Sequence, residues 1–152
     1  SVLTGQWYTG IGGLSEVDMM GREYWQQVMR SKTAVNKELE AARVEGKIGS
    51  SLDAQVTLYC SEPLQKALTQ LDDELRFVLI TSSAAAVVDD DTAVANITEV
   101  PGLRVQVTAL EKAKCGRCWH RRDDVGSVAE HPELCGRCVT NAFDQGEVRR
   151  YA

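Results

Sequence analysis

Four of the five cysteines fall close together near the carboxyl end, as Cys115-Gly116-Arg117-Cys118 and Cys135-Gly136-Arg137-Cys138. The pattern is C-x2-C-x16-C-x2-C, and no other feature restricts the fold of this chain so sharply. Zn2+ imposes no geometry of its own, so a tetrahedral site is dictated by its ligands, and two C-x2-C turns offer four sulfurs to one ion. Gly116 and Gly136 lack a Cβ, which permits a tight turn that aims backbone N–H groups at thiolates. The repeated tetrapeptide therefore reads as two matched knuckles around one structural zinc held by Cys115, Cys118, Cys135 and Cys138. A four-thiolate iron site uses the same donors, and metal content separates the two.

Other cysteine chemistries fit less well. A thioredoxin-type redox site needs one C-x-x-C opening a helix after a strand, without a second matched pair. Trp119 separates Cys118 from His120, so the spacing for covalent haem attachment is missing. His120 and His131 lie beside and between the pairs, but four thiols already complete a shell. Cys60 sits alone in an apolar run and reads as a core thiol. Four thiolates around Zn2+ leave a net charge of −2, and a closed protein shell offers no position for an activated water, so no catalytic residue is assigned.

The charge pattern marks the same tail. The whole chain of 152 residues carries a net charge of −5, with 43% hydrophobic residues, which fits a packed domain rather than a disordered one. Residues 1–109 hold nine basic and fifteen acidic side chains, whereas residues 110–152 hold eight and seven. From Lys112 to Arg122 there are five cations and no acid: Lys112, Lys114, Arg117, Arg121 and Arg122. Such a strip attracts phosphate, or it neutralises the thiolates. Arg117 and Arg137 lie inside the knuckles and suit neutralisation. Lys112, Lys114, Arg121 and Arg122 lie outside them and are the candidate phosphate contacts. No apolar run approaches the roughly 20 residues of a membrane helix, and no signal sequence opens the chain, which points to a soluble, cytoplasmic protein. The opening residue is Ser1 rather than Met, which reads as a fragment or processed product.

Apolar periodicity supplies the remaining elements. Trp25, Val28, Met29, Val35, Leu39 and Ala42 form a helical stripe over 24–42, ended near Glu45 by Gly46 and Gly49. Val56, Leu58 and Cys60 alternate with polar or aromatic neighbours, predicting a strand over 54–60. Ser61 and Pro63 then open a second helix, whose leucines run to about Leu79. Residues 80–88 read as a short strand or as a continuation of that helix into Ile80. After Pro101-Gly102, alternation from Leu103 to Ala109 predicts a further strand. Asp89-Asp90-Asp91 lacks the spaced oxygens of a calcium loop and reads as a solvated turn. The fold class is α+β: a long amphipathic helix, a small sheet with a packed helix, and a four-cysteine zinc finger.

The stretch Lys114-Cys-Gly-Arg-Cys-Trp-His120, the stretch from Gly126 through His131-Pro132 to Cys135-Gly-Arg-Cys-Val139, and the closing Gly146-Glu-Val-Arg-Arg-Tyr-Ala152 resemble the carboxyl end of bacterial isoleucyl-tRNA synthetases. Upstream, Trp25, Arg30, Val35-Asn36-Lys37, Ile48-Gly49-Ser50-Ser51-Leu52 and Tyr59 resemble the same enzymes. The resemblance implies ATP-dependent attachment of isoleucine to tRNA(Ile) by upstream catalytic domains. It also implies that residues 1–46 close a helical anticodon-binding domain, 47–110 form a small α+β domain, and 111–152 a zinc-finger tail. The nucleotide-binding fold and its signatures have no counterpart here, so the chain alone should not activate isoleucine. A similar finger with the same sixteen-residue interval occurs in formamidopyrimidine-type DNA glycosylases, which makes a DNA-binding repair module the second reading. A purely structural zinc domain is the third.

Overall fold

The computed structural model describes residues 4–13, 18–91 and 94–152, and the reading made at Ser1 lies outside them. Helix α1 spans Arg22–Val44. It buries Tyr24, Val28, Ser31, Ala34, Val35, Leu39 and Ala42, which recur every three or four residues along one face. That face is rotated slightly from the expected stripe. Met29 is half exposed, whereas Ser31 is buried because its hydroxyl donates to the Gln27 carbonyl 3.1 Å away. The helix ends as Gly46, at φ +75°, lets Gly46 N–H donate to Arg43 O and Lys47 N–H to Ala42 O.

Strand β1, Ala54–Cys60, matches the predicted range and alternates between buried and half-buried residues. Helix α2 covers Glu62–Thr69, and a 3-10 turn over Asp72–Glu74 leads into the short helix α3, Leu75–Leu79. The single helix expected over 61–79 is therefore broken. Asp72 takes φ +47°, a conformation Asp tolerates better than most residues, and the kink lets Leu64, Leu68, Leu71, Leu75 and Leu79 all stay buried. Ile80 adopts φ +58° and stops α3, which decides between the two readings of 80–88: strand β2 is Ser83–Val88.

Strand β4, Leu103–Ala109, is as expected, and the two-residue strand β3, Asn96–Ile97, is an addition too short to show a period. The sheet order is β2-β1-β4-β3, with β1 parallel to β2 and antiparallel to β4. Val56, Leu58, Cys60, Leu103 and Val105 share one core with α1, α2 and α3, so the helices cover one sheet face. On the other face Tyr59 O–H donates to Gln106 Oε1 at 3.2 Å, and Arg104 makes two bonds to Asp89 at 2.6 and 2.7 Å. Asp89 thus belongs to an ion pair, and its carboxylate also accepts the Asp91 N–H, as in a local turn.

The turn before β4 depends on Gly102. Its carbonyl accepts the Ser61 N–H at 2.7 Å, its φ is +71°, and an added Cβ would lie 2.9 Å from Ser61 Cβ. Gly102→Ala is expected to cost about 2 kcal/mol from left-handed strain and contact, which denaturant or thermal unfolding would register. An unchanged midpoint would contradict this packing.

Candidate metal centre and the surface it presents

The first C-x2-C forms a knuckle. Cys115 N–H donates to His120 O, Trp119 N–H returns to Cys115 O, and Lys114 bridges to Arg121 across the turn. The second pair is built differently: Cys135 caps helix α4, Gly136–Phe143, and Cys138 lies in that helix's first turn. The two tetrapeptides are therefore not matched knuckles. Neither Gly116 nor Gly136 has positive φ; at Gly136 a Cβ would lie 3.1 Å from Asp124 Oδ2, the same oxygen that accepts the Gly136 N–H. Close approach, rather than turn geometry, explains that glycine.

The four sulfurs nevertheless converge, all within 4.8 Å of one another. Cys118 Sγ and Cys135 Sγ are 3.7 Å apart, matching the S···S spacing of about 3.8 Å that Zn–S bonds of about 2.3 Å require in a tetrahedron. All five cysteines are free of disulfides, and Cys115, Cys135 and Cys138 are fully buried. Cys135 N–H donates to Cys115 Sγ at 3.4 Å. The four cysteines are thus placed to hold one structural zinc ion.

The thiols' electrostatics fit that role. At Cys115 burial opposes ionisation, but N–H groups of Cys118, Cys135 and Arg117 overcome it and bring the thiol down to about 6. Cys118 and Cys135 are pushed up, chiefly by burial and also by neighbouring thiols. A buried cluster of this kind cannot carry four negative charges unless a cation joins it. Cys60, by contrast, is buried in the main core and driven up to about 12 by burial and then by Asp89. Cys60→Ser should leave one zinc per chain, measured by elemental analysis; a lost zinc would make it a ligand.

The histidines are occupied elsewhere. His120 Nδ1 lies 3.2 Å from Cys118 O, with its ring edge-on to Phe77, and His131 stacks on Phe143 with centroids 4.0 Å apart. Of the two knuckle arginines, only Arg117 reaches sulfur, its Nη1 3.6 Å from Cys138 Sγ. Arg137 instead binds Glu147 at 2.7 Å and lies over Phe77.

The basic strip divides in the same way. Lys112 pairs with Asp123 at 2.6 Å, Arg122 with Asp124 at 3.0 Å, and Arg121 with Asp53 of the sheet domain at 2.7 Å. Among the described residues Lys114 forms no ion pair, and its ammonium stands 6.0 Å from the Trp119 ring centroid. Trp119 does not pack over the metal as a small core. It is 60% exposed and takes φ +64°, a conformation costly for a bulky residue. Periodicity gave no sign of this, because the exposure follows from the knuckle's backbone. The closing residues fold back: Glu74 accepts the N–H groups of Arg150, Tyr151 and Ala152 at 2.6, 2.6 and 2.8 Å.

Residues 113–141 match the family described as a zinc finger found in FPG and IleRS. The isoleucine–tRNA ligase of Ectopseudomonas mendocina is 53% identical over 153 residues, covering 100% of this chain and 16% of that enzyme. The isoleucine–tRNA ligase of Methylococcus capsulatus is 49% identical over 155 residues, covering 99% of this chain and again 16% of the enzyme. The chain resembles isoleucine–tRNA ligases along its whole length. Those relatives are ligases by name, and the chain spans about a sixth of them. The likeness to ligases therefore extends well beyond the finger, into α1 and the sheet. Among the described residues no helix is long and apolar enough to cross a membrane.

Proposed function

We propose that this chain serves an isoleucine–tRNA ligase as a tRNA-binding part, holding tRNA(Ile) while catalytic domains outside these residues carry out ATP-dependent aminoacylation. In this reading 111–152 is the metal-held finger, 47–110 the domain that carries it, and 1–46 the end of an anticodon-binding domain. The observation that carries the proposal is Trp119, an exposed aromatic in left-handed backbone immediately after a metal-binding cysteine, with the Lys114 ammonium above its ring.

An exposed aromatic beside unpaired cations is how proteins grip single-stranded nucleotides, since every base has a face to stack and every link a phosphate to neutralise. Lys114 supplies charge beside the ring and forms no ion pair among the described residues, whereas the Arg117 guanidinium is turned to Cys138 Sγ. Lys112, Arg121 and Arg122 already have acid partners, so an RNA phosphate would have to compete with Asp123, Asp53 and Asp124. The finger family is described as found in both FPG and IleRS, while the likeness along the whole of this chain is to isoleucine–tRNA ligases. Parallel titrations of the zinc-loaded chain with tRNA(Ile) and duplex DNA test the reading. Tighter binding to tRNA is expected. A preference for DNA would favour the repair-module reading, and binding to neither would leave a structural zinc domain.

A further inference from the structure

The finger's attachment to the sheet is a small, nearly closed polar network. Arg121 N–H donates to Ser82 Oγ at 2.7 Å, and that hydroxyl donates to Leu52 O at 2.5 Å. Arg121 Nε donates to Asp53 Oδ1 at 2.7 Å and its Nη1 to Lys112 O at 3.0 Å. The other carboxylate oxygen of Asp53 accepts from Ser50 N–H and Oγ at 2.9 and 3.0 Å, and Leu110 N–H donates to Asp53 O at 2.8 Å. Ser82 is buried, and the Asp53 side chain is only 15% exposed. One arginine therefore ties together the end of β4, the entrance to β1, the start of β2 and the knuckle that carries Trp119.

We infer that Arg121 is a positioning residue: through Asp53 and Ser82 it fixes the orientation of the metal finger on the sheet, and so the direction in which Trp119 and Lys114 face RNA. The inference rests on the tRNA-binding reading for its consequence, not for its geometry. The main core contains no finger residue, and the finger's own cluster is confined to the four cysteines, Val125 and Leu134. With no shared apolar core, the finger meets the sheet domain through the Phe77 ring, which touches His120 and Arg137, and through the Arg121 network, whose contacts are directional and charge-assisted. Although burial would raise the Asp53 carboxyl, its bonds to Arg121 and Ser50 hold it below the usual range, so the pair stays ionised. The Glu74 clasp at the opposite end keeps the finger attached when this contact is lost.

Arg121→Ala and Asp53→Asn in the zinc-loaded full chain separate positioning from direct contact. Asparagine preserves an acceptor for Ser50 while removing the charge that holds Arg121. If Arg121 positions the finger, both variants should keep one zinc and each should raise tryptic cleavage after Lys112 or Lys114 about tenfold, because the link opens more often. Each should also weaken tRNA binding about tenfold with the salt slope unchanged, and the double variant should be no worse than the weaker single one. The Asp53 arm is decisive: deleting an acid favours a polyanion electrostatically, so a loss of affinity can arise only through position. Unchanged cleavage would overturn the inference. So would unchanged or tighter tRNA binding by Asp53→Asn, or a slope shallower by about 0.7–0.9 in Arg121→Ala with cleavage unaltered, which would make Arg121 a phosphate contact. If the wild-type chain binds no tRNA, the functional reading fails, and the cleavage arm still decides whether Arg121 holds the finger.

Discussion

Stripping zinc from the chain is expected to unfold residues 114–143 while the sheet and its helices persist. The finger has little else to hold it: its apolar cluster consists of the four cysteines with Val125 and Leu134, and its one helix, α4, has eight residues. A helix that short is marginal in water without tertiary support. Metal binding in such sites is folding free energy, of apparent size about 10–16 kcal/mol in zinc-finger peptides at neutral pH. No other contact in this tail approaches that magnitude. The main core, by contrast, takes its buried residues from Tyr24 to Val105 and includes no zinc ligand. Amide spectra after chelation should therefore lose dispersion in the finger and keep it from Arg22 to Ala109. Cys118→Ser, which leaves three sulfurs, should abolish tight metal binding with the same pattern. A finger that kept its dispersed signals without metal would show that the cysteine cluster is not what folds it.

The next largest effect is expected in RNA affinity. Trp119→Ala removes a stacking surface, and base–aromatic stacking is worth about 1–3 kcal/mol per base, or roughly 5- to 150-fold in affinity. Zinc content should stay at one, because the indole is exposed and no sulfur depends on it. Lys114→Ala should act in a different way, weakening binding and making the salt slope shallower by about 0.7–0.9 for a lost phosphate contact. The two readouts are separable: stacking changes affinity at every salt concentration, whereas charge changes its salt dependence. Full tRNA affinity in the double variant with zinc intact would remove these two residues from the interface.

What could be read in the sequence was what repeats. Helix α1, strands β1 and β4 and the cysteine spacing follow from periods of 3.6 and 2 and from ligand arithmetic, which act over a few residues. The break at Asp72 and the stop at Ile80 escaped because both are left-handed residues with no glycine to announce them. Strand β3, at Asn96–Ile97, is too short for any pattern. In the tail, cysteine convergence was legible, but the partners of the cations were not. Arg121 finds Asp53 sixty-eight positions away, and Glu74 finds the closing backbone across more than seventy. Such pairings depend on topology, which spacing does not encode. The exposure of Trp119 is the same kind of omission, since an aromatic beside a zinc site more often packs over it.

The central claim, that the metal-held finger is where tRNA is gripped, is tested most directly by fluorine NMR of the chain carrying 5-fluorotryptophan. The three tryptophans occupy different settings: Trp7 is 94% exposed near the start, Trp25 packs against the core, and Trp119 stands on the knuckle. On titration with tRNA(Ile) at full zinc occupancy, the Trp119 resonance should shift or broaden in proportion to binding, while that of Trp25 stays fixed. Saturable binding that leaves the Trp119 resonance unmoved would contradict the account.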